Sequence, residues 1–455
     1  MSNPAGKSDF VSAPIGWTMI KTAVPMLAGT LAMSGYNIAD TYFIGKLGEP
    51  ELAAVGFTMP VAMFAGCIFH GLGTGMMTLV AHALGGERQE RAAAITTAGF
   101  VLIILLTSLL ALAGILLMNP VFTLLGATPE LHGMIREYMY VWYLGTPLAV
   151  IGMAGNSILI TAADSKLASA MMIFGMIVNV ILDPVLIFGW WIIPGTGIFG
   201  GALATVISQG LSSLIILFFI WKKHHLISRI PLDFRFISKG WLMVLRVAVP
   251  SILGMVLMPI GSAIVTKAIS GFGTAAVAGA NAAARLEGVA FLVPMALGMS
   301  MMPMVGQNFG AKRFDRINQC RRFAMRFALI YELALAGLIF LFAPEISNIF
   351  CSESEGAAKV MEQYLRIVPW GFGFLEAHRY SGFVFTGCNK PAASAWLSAL
   401  RIIGCLIPFT LLAAEFGNMN WIFGARLGAD VLSGTIGMIC AHFLTWRLLR
   451  ESEAK

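Results

Sequence analysis

Two pairs of polar residues, set in otherwise apolar sequence, offer chemistry. Asn37 and Asp40 are three apart, and Asn179 and Asp183 four apart, so each pair shares one helical face. Two carboxylates and two amides that converge supply oxygen ligands for a small hard cation, or two acids near enough to hold and release a proton between them. Either arrangement makes an ion-coupled gate. Ionisable groups inside a membrane are costly and read as functional by default.

The elements that carry these pairs are apolar enough to cross a bilayer. Of the 455 residues, 58% are hydrophobic and only 12% charged, with a mean hydropathy of +0.81. About 20 apolar residues span a bilayer as a helix, and the chain offers about twelve such stretches. The expected fold is an all-α membrane protein of twelve transmembrane helices in two pseudo-symmetric six-helix bundles. The chain repeats itself at a displacement of 225 residues: Val24-Pro25 recurs as Val249-Pro250, and Gly73 to Gly85 with Glu90-Arg91 recurs as Gly298 to Gly310 with Asp315-Arg316. The acids are not repeated. Asp40 falls opposite Val265, while at a displacement of 224 in the later helices Asn179 and Asp183 fall opposite Ile403 and Ile407.

This plan predicts an N-lobe over 1–221, a cytoplasmic linker over 222–240 and a C-lobe over 241–455. The linker holds Pro231 and the run Lys222-Lys223-His224-His225. Lys and Arg gather in alternate connections, which places both termini in the cytoplasm. The first fifteen residues are polar, so no cleavable leader is expected. The balance of 30 basic against 23 acidic residues is read as topology and contact with anionic lipid, and no nucleic-acid surface is expected. Parallel repeats of this kind place a substrate near the midplane and work by alternating access. Pro25, in the helix of Asp40, permits a kink there.

The run Asn37-Ile-Ala-Asp40-Thr-Tyr-Phe-Ile-Gly45-Lys-Leu-Gly48 resembles the first-helix signature of multidrug and toxic compound extrusion (MATE) transporters. Asn179-Val-Ile-Leu-Asp183-Pro184 and Val305-Gly-Gln-Asn-Phe-Gly310 are similar to further segments of the family, and the pairing with an acid in helix one points to its DinF-like branch. The resemblance covers essentially the whole chain. It implies a cation site in the N-lobe with Asp40, Asn179 and Asp183 at its core and Tyr36, Asn156, Tyr138 and Thr205 around it, to which the spacing adds Asn37. The same three core residues would be metal ligands only under Na⁺ coupling. The implied activity is H⁺- or Na⁺-driven export of amphipathic, cationic organic compounds by a monomer in the inner membrane. No cofactor is expected.

Departures from the family's pattern bear on the second half. The helix-four Asn is followed by Ser157, and helix seven holds Lys267 with no carboxylate, which disfavours the NorM branch. Arg285 and Glu287 in helix eight, with Glu376, His378 and Arg379 in helix ten, form either an internal ion-pair network or a substrate contact. Among the 27 methionines, Met33 and Met172 are expected at an adaptable substrate surface. The six cysteines show no ligand or disulfide spacing, and no nucleotide-binding glycine loop is present. The alternative function is a lipid-linked precursor flippase of the same superfamily, which needs cations at pyrophosphate. An enzyme using Glu376 and His378 lacks a tight constellation and is not expected.

Overall fold

Inside a bilayer no water is present to satisfy backbone N–H and C=O groups, so apolar runs of this length close their hydrogen bonds locally as helices. The computed structural model describes residues 9–191, 193–228 and 234–453. It contains α1 (Asp9–Ser12), α2 (Ile15–Gly45), α3 (Glu49–Gly85), α4 (Gln89–Leu116), α5 (Met118–Leu124), α6 (His132–Thr161), α7 (Ser165–Phe188) and α8 (Ile198–Lys222). A two-residue ladder, β1 (Gly189–Trp190) with β2 (Ile193–Pro194), joins α7 to α8. There follow α9 (Phe234–Ser270), α10 (Thr274–Ala290), α11 (Leu292–Gly310), α12 (Phe314–Leu341), α13 (Ala343–Phe350) and α14 (Glu355–Ile367). A 3₁₀ turn over Val368–Gly371 leads into α15 (Phe372–Gly387). The chain closes with α16 (Pro391–Ala399), a π-helical stretch over Leu400–Leu406, α17 (Ile407–Glu415) and α18 (Met419–Glu453).

Among the described residues nine helices are long and apolar enough to cross a membrane, or ten when the pair α10 and α11, bent by 48°, counts as one span. Two of the twelve expected spans fall outside that number. They are α2, which carries Lys21 and Asp40, and the segment from α14 to α15, which carries Glu376, His378 and Arg379. Lys21 and Asp40 lower the hydropathy of α2, whereas α14 and α15 are separate helices of only 13 and 16 residues. The same order of elements occurs twice, down to its strained backbone. Glu87 and Lys312, each just before a 28-residue helix, have φ of 59° and 57°, a region that non-glycine residues rarely adopt.

Helix contacts group the described chain into two compact units, one over Val24–Val249 and the other over Asp9–Ala23 with Pro250 onwards. Both divisions fall inside helices, beside Pro25 and Pro250. Of the interval expected as a linker, residues 229–233 lie outside the described residues, as do residues 1–8 at the amino end, and α9 begins at Phe234. The core of the first unit includes Ile44, Phe122, Ile135, Tyr138, Tyr143 and Ile187. That of the second includes Phe291, Tyr364, Phe372, Ile422 and Phe423.

Candidate functional site

In the first unit α2 and α7 run side by side in the same direction. The Ser169 hydroxyl donates to the Pro25 carbonyl. A Cβ on Gly29 would lie 2.8 Å from Met172 Sδ and 3.3 Å from Ser169 Cα, and one on Gly35 would lie 3.6 Å from Met176 Sδ. Glycine at these positions lets the helices approach, and the register they set carries Asp40 toward Asn179 and Asp183. On α7 the Asn179 amide donates to Asp183 Oδ1 at 3.1 Å, with both residues fully buried. One oxygen of each stays without a partner, as does Asp40 Oδ1.

The rim of this cluster comes from three more positions. Tyr36, one turn before Asp40, donates its hydroxyl to Thr205 Oγ1 on α8 at 3.0 Å. Tyr138 on α6 is buried and interacts electrostatically with Asp40, Tyr36 and Asp183, and the charges of Asp40 and Asp183 feel one another. Asp40, Asn179, Asp183, Tyr36, Tyr138 and Thr205 are therefore brought together. Met172 lies at the α2–α7 seam against Gly29, while Met33 and Asn37 are exposed on α2. Asn156 is held elsewhere. It sits about five turns, or about 27 Å, along α6 from Tyr138, with its own buried, unpartnered Oδ1. Two acids with partnerless oxygens, an amide and hydroxyls can hold a proton or a small cation. Among the described residues no cluster of three His, Cys, Asp or Glu side chains stands ready for a metal.

The second unit contains ion pairs of a different composition from the expected one. Glu287 is paired with Arg426 of α18, Nη2 to Oε1 at 2.5 Å, and Tyr364 donates to its other oxygen at 2.5 Å. Arg285, two residues before Glu287, is exposed and, among the described residues, has no acidic partner. Residues two apart on a helix point away from each other, so Arg285 does not share the side of Glu287. Glu376 is buried and accepts from Arg379 at 2.5 Å, and the Arg379 guanidinium lies 4.8 Å from the Phe291 ring centre. Asp430 is fully buried and accepts from Arg401 at 2.9 and 2.7 Å. Glu332 of α12 is fully buried with neither oxygen partnered. Sequence reading passed over Arg426, Arg401 and Glu332. Each is a charge inside an apolar run, a signal that was available.

A set of long apolar helices that encloses a few acids, amides and hydroxyls defines a multi-pass membrane transporter rather than an enzyme. The chain belongs to the MatE family, whose profile matches residues 25–185 and 250–412. It is similar to the FAD transporter of Shewanella oneidensis, with 29% identity over 444 residues that cover 98% of this chain and 97% of the relative. It is also similar to the probable multidrug resistance protein YoeA of Bacillus subtilis, with 26% identity over 92% of this chain and 91% of the relative. The crystal structure of the Vibrio cholerae MATE transporter VcmN in the bent form superposes with a TM-score of 0.90 at 28% identity, covering 95% of this chain and 98% of that one.

Proposed function

We propose that this chain is an H⁺- or Na⁺-coupled antiporter that exports small amphipathic organic compounds by alternating access, with Asp40, Asn179 and Asp183 as the coupling site. The observation that carries the proposal is the gathering of both acids in one unit, each with a carboxylate oxygen lacking a partner. An unpartnered buried carboxylate is costly, and occupancy by the driving ion relieves that cost. Tyr36, Tyr138 and Thr205 form the rim of that site. We place the protein in the inner membrane as a monomer, with both termini cytoplasmic and lobes over 1–221 and 241–455 joined by 222–240. The two separate matches of the family profile support that division.

The substrate has two readings. Organic cations suit the acids of the first unit, and the name of the Bacillus relative favours drug-like compounds. A flavin dinucleotide is the second reading. It is favoured by the name of the full-length Shewanella relative and by the exposed, acid-free Arg285 of the second unit, which suits a pyrophosphate. A lipid-linked precursor flippase would use the same cation at its pyrophosphate.

The test is efflux from proteoliposomes under separately imposed proton and sodium gradients, with an organic dye cation and FAD as alternative cargoes. One gradient is expected to drive one cargo, and Asp40→Asn and Asp183→Asn are each expected to reduce driven efflux to the leak while purified yield stays normal. Driven efflux at wild-type rate in both variants overturns the coupling role.

A further inference from the structure

The outward face of α12 combines two features that are unusual on one membrane helix. Gln319, Arg322, Phe323, Arg326, Phe327 and Ile330, ending at Tyr331, line a groove of about 610 Å³. Arg322 and Arg326 are exposed and one turn apart, and among the described residues neither has an acidic partner. Beyond them the same face is apolar and bare, with Ile330, Leu333 and Leu341 among its exposed residues. The rings of Phe327 and Tyr331 stack at 5.6 Å with an 11° tilt, which gives the groove a flat wall, and Phe323 lies against Gly16.

Geometry sets the level of the two guanidiniums in the bilayer. A helix of 28 residues is about 42 Å long, against a hydrocarbon core of about 30 Å, so roughly its first two turns emerge at the end that carries Arg316 and Arg321. Arg322 then lies at the boundary and Arg326 one turn inside. Helical side chains lean toward the N-terminus, and a long arginine snorkels to the interface. Both guanidiniums therefore reach toward the headgroup layer, about one turn apart along the helix, above an apolar, ring-lined track.

We propose that this face binds one anionic phospholipid, its phosphate held between Arg322 and Arg326 and one acyl chain laid along Phe323, Phe327 and Ile330. The charge complementarity is specific. A planar guanidinium pairs well with phosphate oxygens, and a zwitterionic headgroup would bring a choline cation against two uncompensated arginines. The site is independent of the coupling acids, because it lies in the other unit on a different helix.

The full-length protein, released from vesicles of equal phosphatidylglycerol and phosphatidylcholine, is examined by native mass spectrometry. Retention of phosphatidylglycerol over phosphatidylcholine is expected. Arg322→Gln with Arg326→Gln is expected to lower that preference about thirtyfold, the combined effect of two basic contacts at an anionic surface. Lys312→Gln with Lys390→Gln removes the same charge elsewhere and is expected to leave the preference intact. Should the double arginine variant fail to fold, Arg326→Gln alone serves, with a smaller loss. An unchanged preference in the arginine variant overturns the site, and so does an equal loss in the lysine variant, which would mean diffuse attraction. Inorganic phosphate that raises the melting temperature as much as phosphatidylglycerol does would overturn the lipid assignment.

Discussion

Asp164 shows how much a single side chain outside the bilayer holds together. It caps α7 by accepting from the Leu167 N–H at 3.4 Å, and it receives His224 at 3.0 Å and Lys223 at 2.6 Å from the end of α8. The His224 hydrogen bond, followed by that of Lys223, holds its carboxyl at about 2, below the usual 3.8. A depressed folded-state value means stability that is complete above about pH 4 and lost as pH falls toward 2. Melting of the purified protein should therefore show Asp164→Asn less stable than wild type at pH 7, with the gap closing between about pH 4 and pH 2. A gap that persists at pH 2 would sink this account. Asp430 makes a stronger case in the apolar interior. Asp430→Leu strands the buried Arg401 and should cost about 3–5 kcal/mol, whereas Asp430→Leu with Arg401→Met should recover most of it. Equal melting temperatures for the single and double variants would refute the pairing argument.

Among the elements, close approach is set by glycine. On α18 a Cβ at Gly434 would lie 2.3 Å from the Phe374 carbonyl oxygen, whereas at Gly424, on the same helix, nothing lies within 4 Å. Gly434→Ala must push α15 and α18 apart, an overpacking cost of about 1–3 kcal/mol. Gly424→Ala should be neutral or stabilising by up to about 1 kcal/mol through helix propensity. Detergent melting curves decide between them, and parallel behaviour of the two variants would refute the packing account. Where α7 of the first copy runs unbroken through Asn179 and Asp183, the second copy changes to a π-helical stretch over Leu400–Leu406. Such stretches interrupt the α-helical ladder and are frequent at functional sites. Here the stretch carries Arg401 to Asp430.

For the whole molecule, the basic residues of alternate connections predict which ends face the cytoplasm. A phosphatase fused after Glu453 should be inactive, and one fused after Gly417, in the connection between α17 and α18, should be active. The reverse pattern would overturn the assigned orientation. Much of the fold was legible before any coordinates. Apolar runs, duplicated prolines and glycines, and the Asn-x-x-x-Asp-Pro segment located the spans and the acids of the first copy. The spans at α2 and at α14 to α15 could be read from the sequence too, but the break of the latter at the 3₁₀ turn over Val368–Gly371 could not. The cluster of Asp40 with Asn179 and Asp183 could be expected from spacing and resemblance, but the place of Asn156 could not.

Sequence alone determined that this chain is a repeated set of membrane helices and that the repeat keeps its acids Asp40 and Asp183 in one copy only. Both are local facts, since a bilayer obliges each segment to satisfy its own backbone. Which charges meet was decided only in three dimensions: Glu287 with Arg426, and Asp430 with Arg401. Helices apolar on every side carry little periodic signal of which face turns inward. The partners are therefore chosen by contacts between residues far apart in the chain.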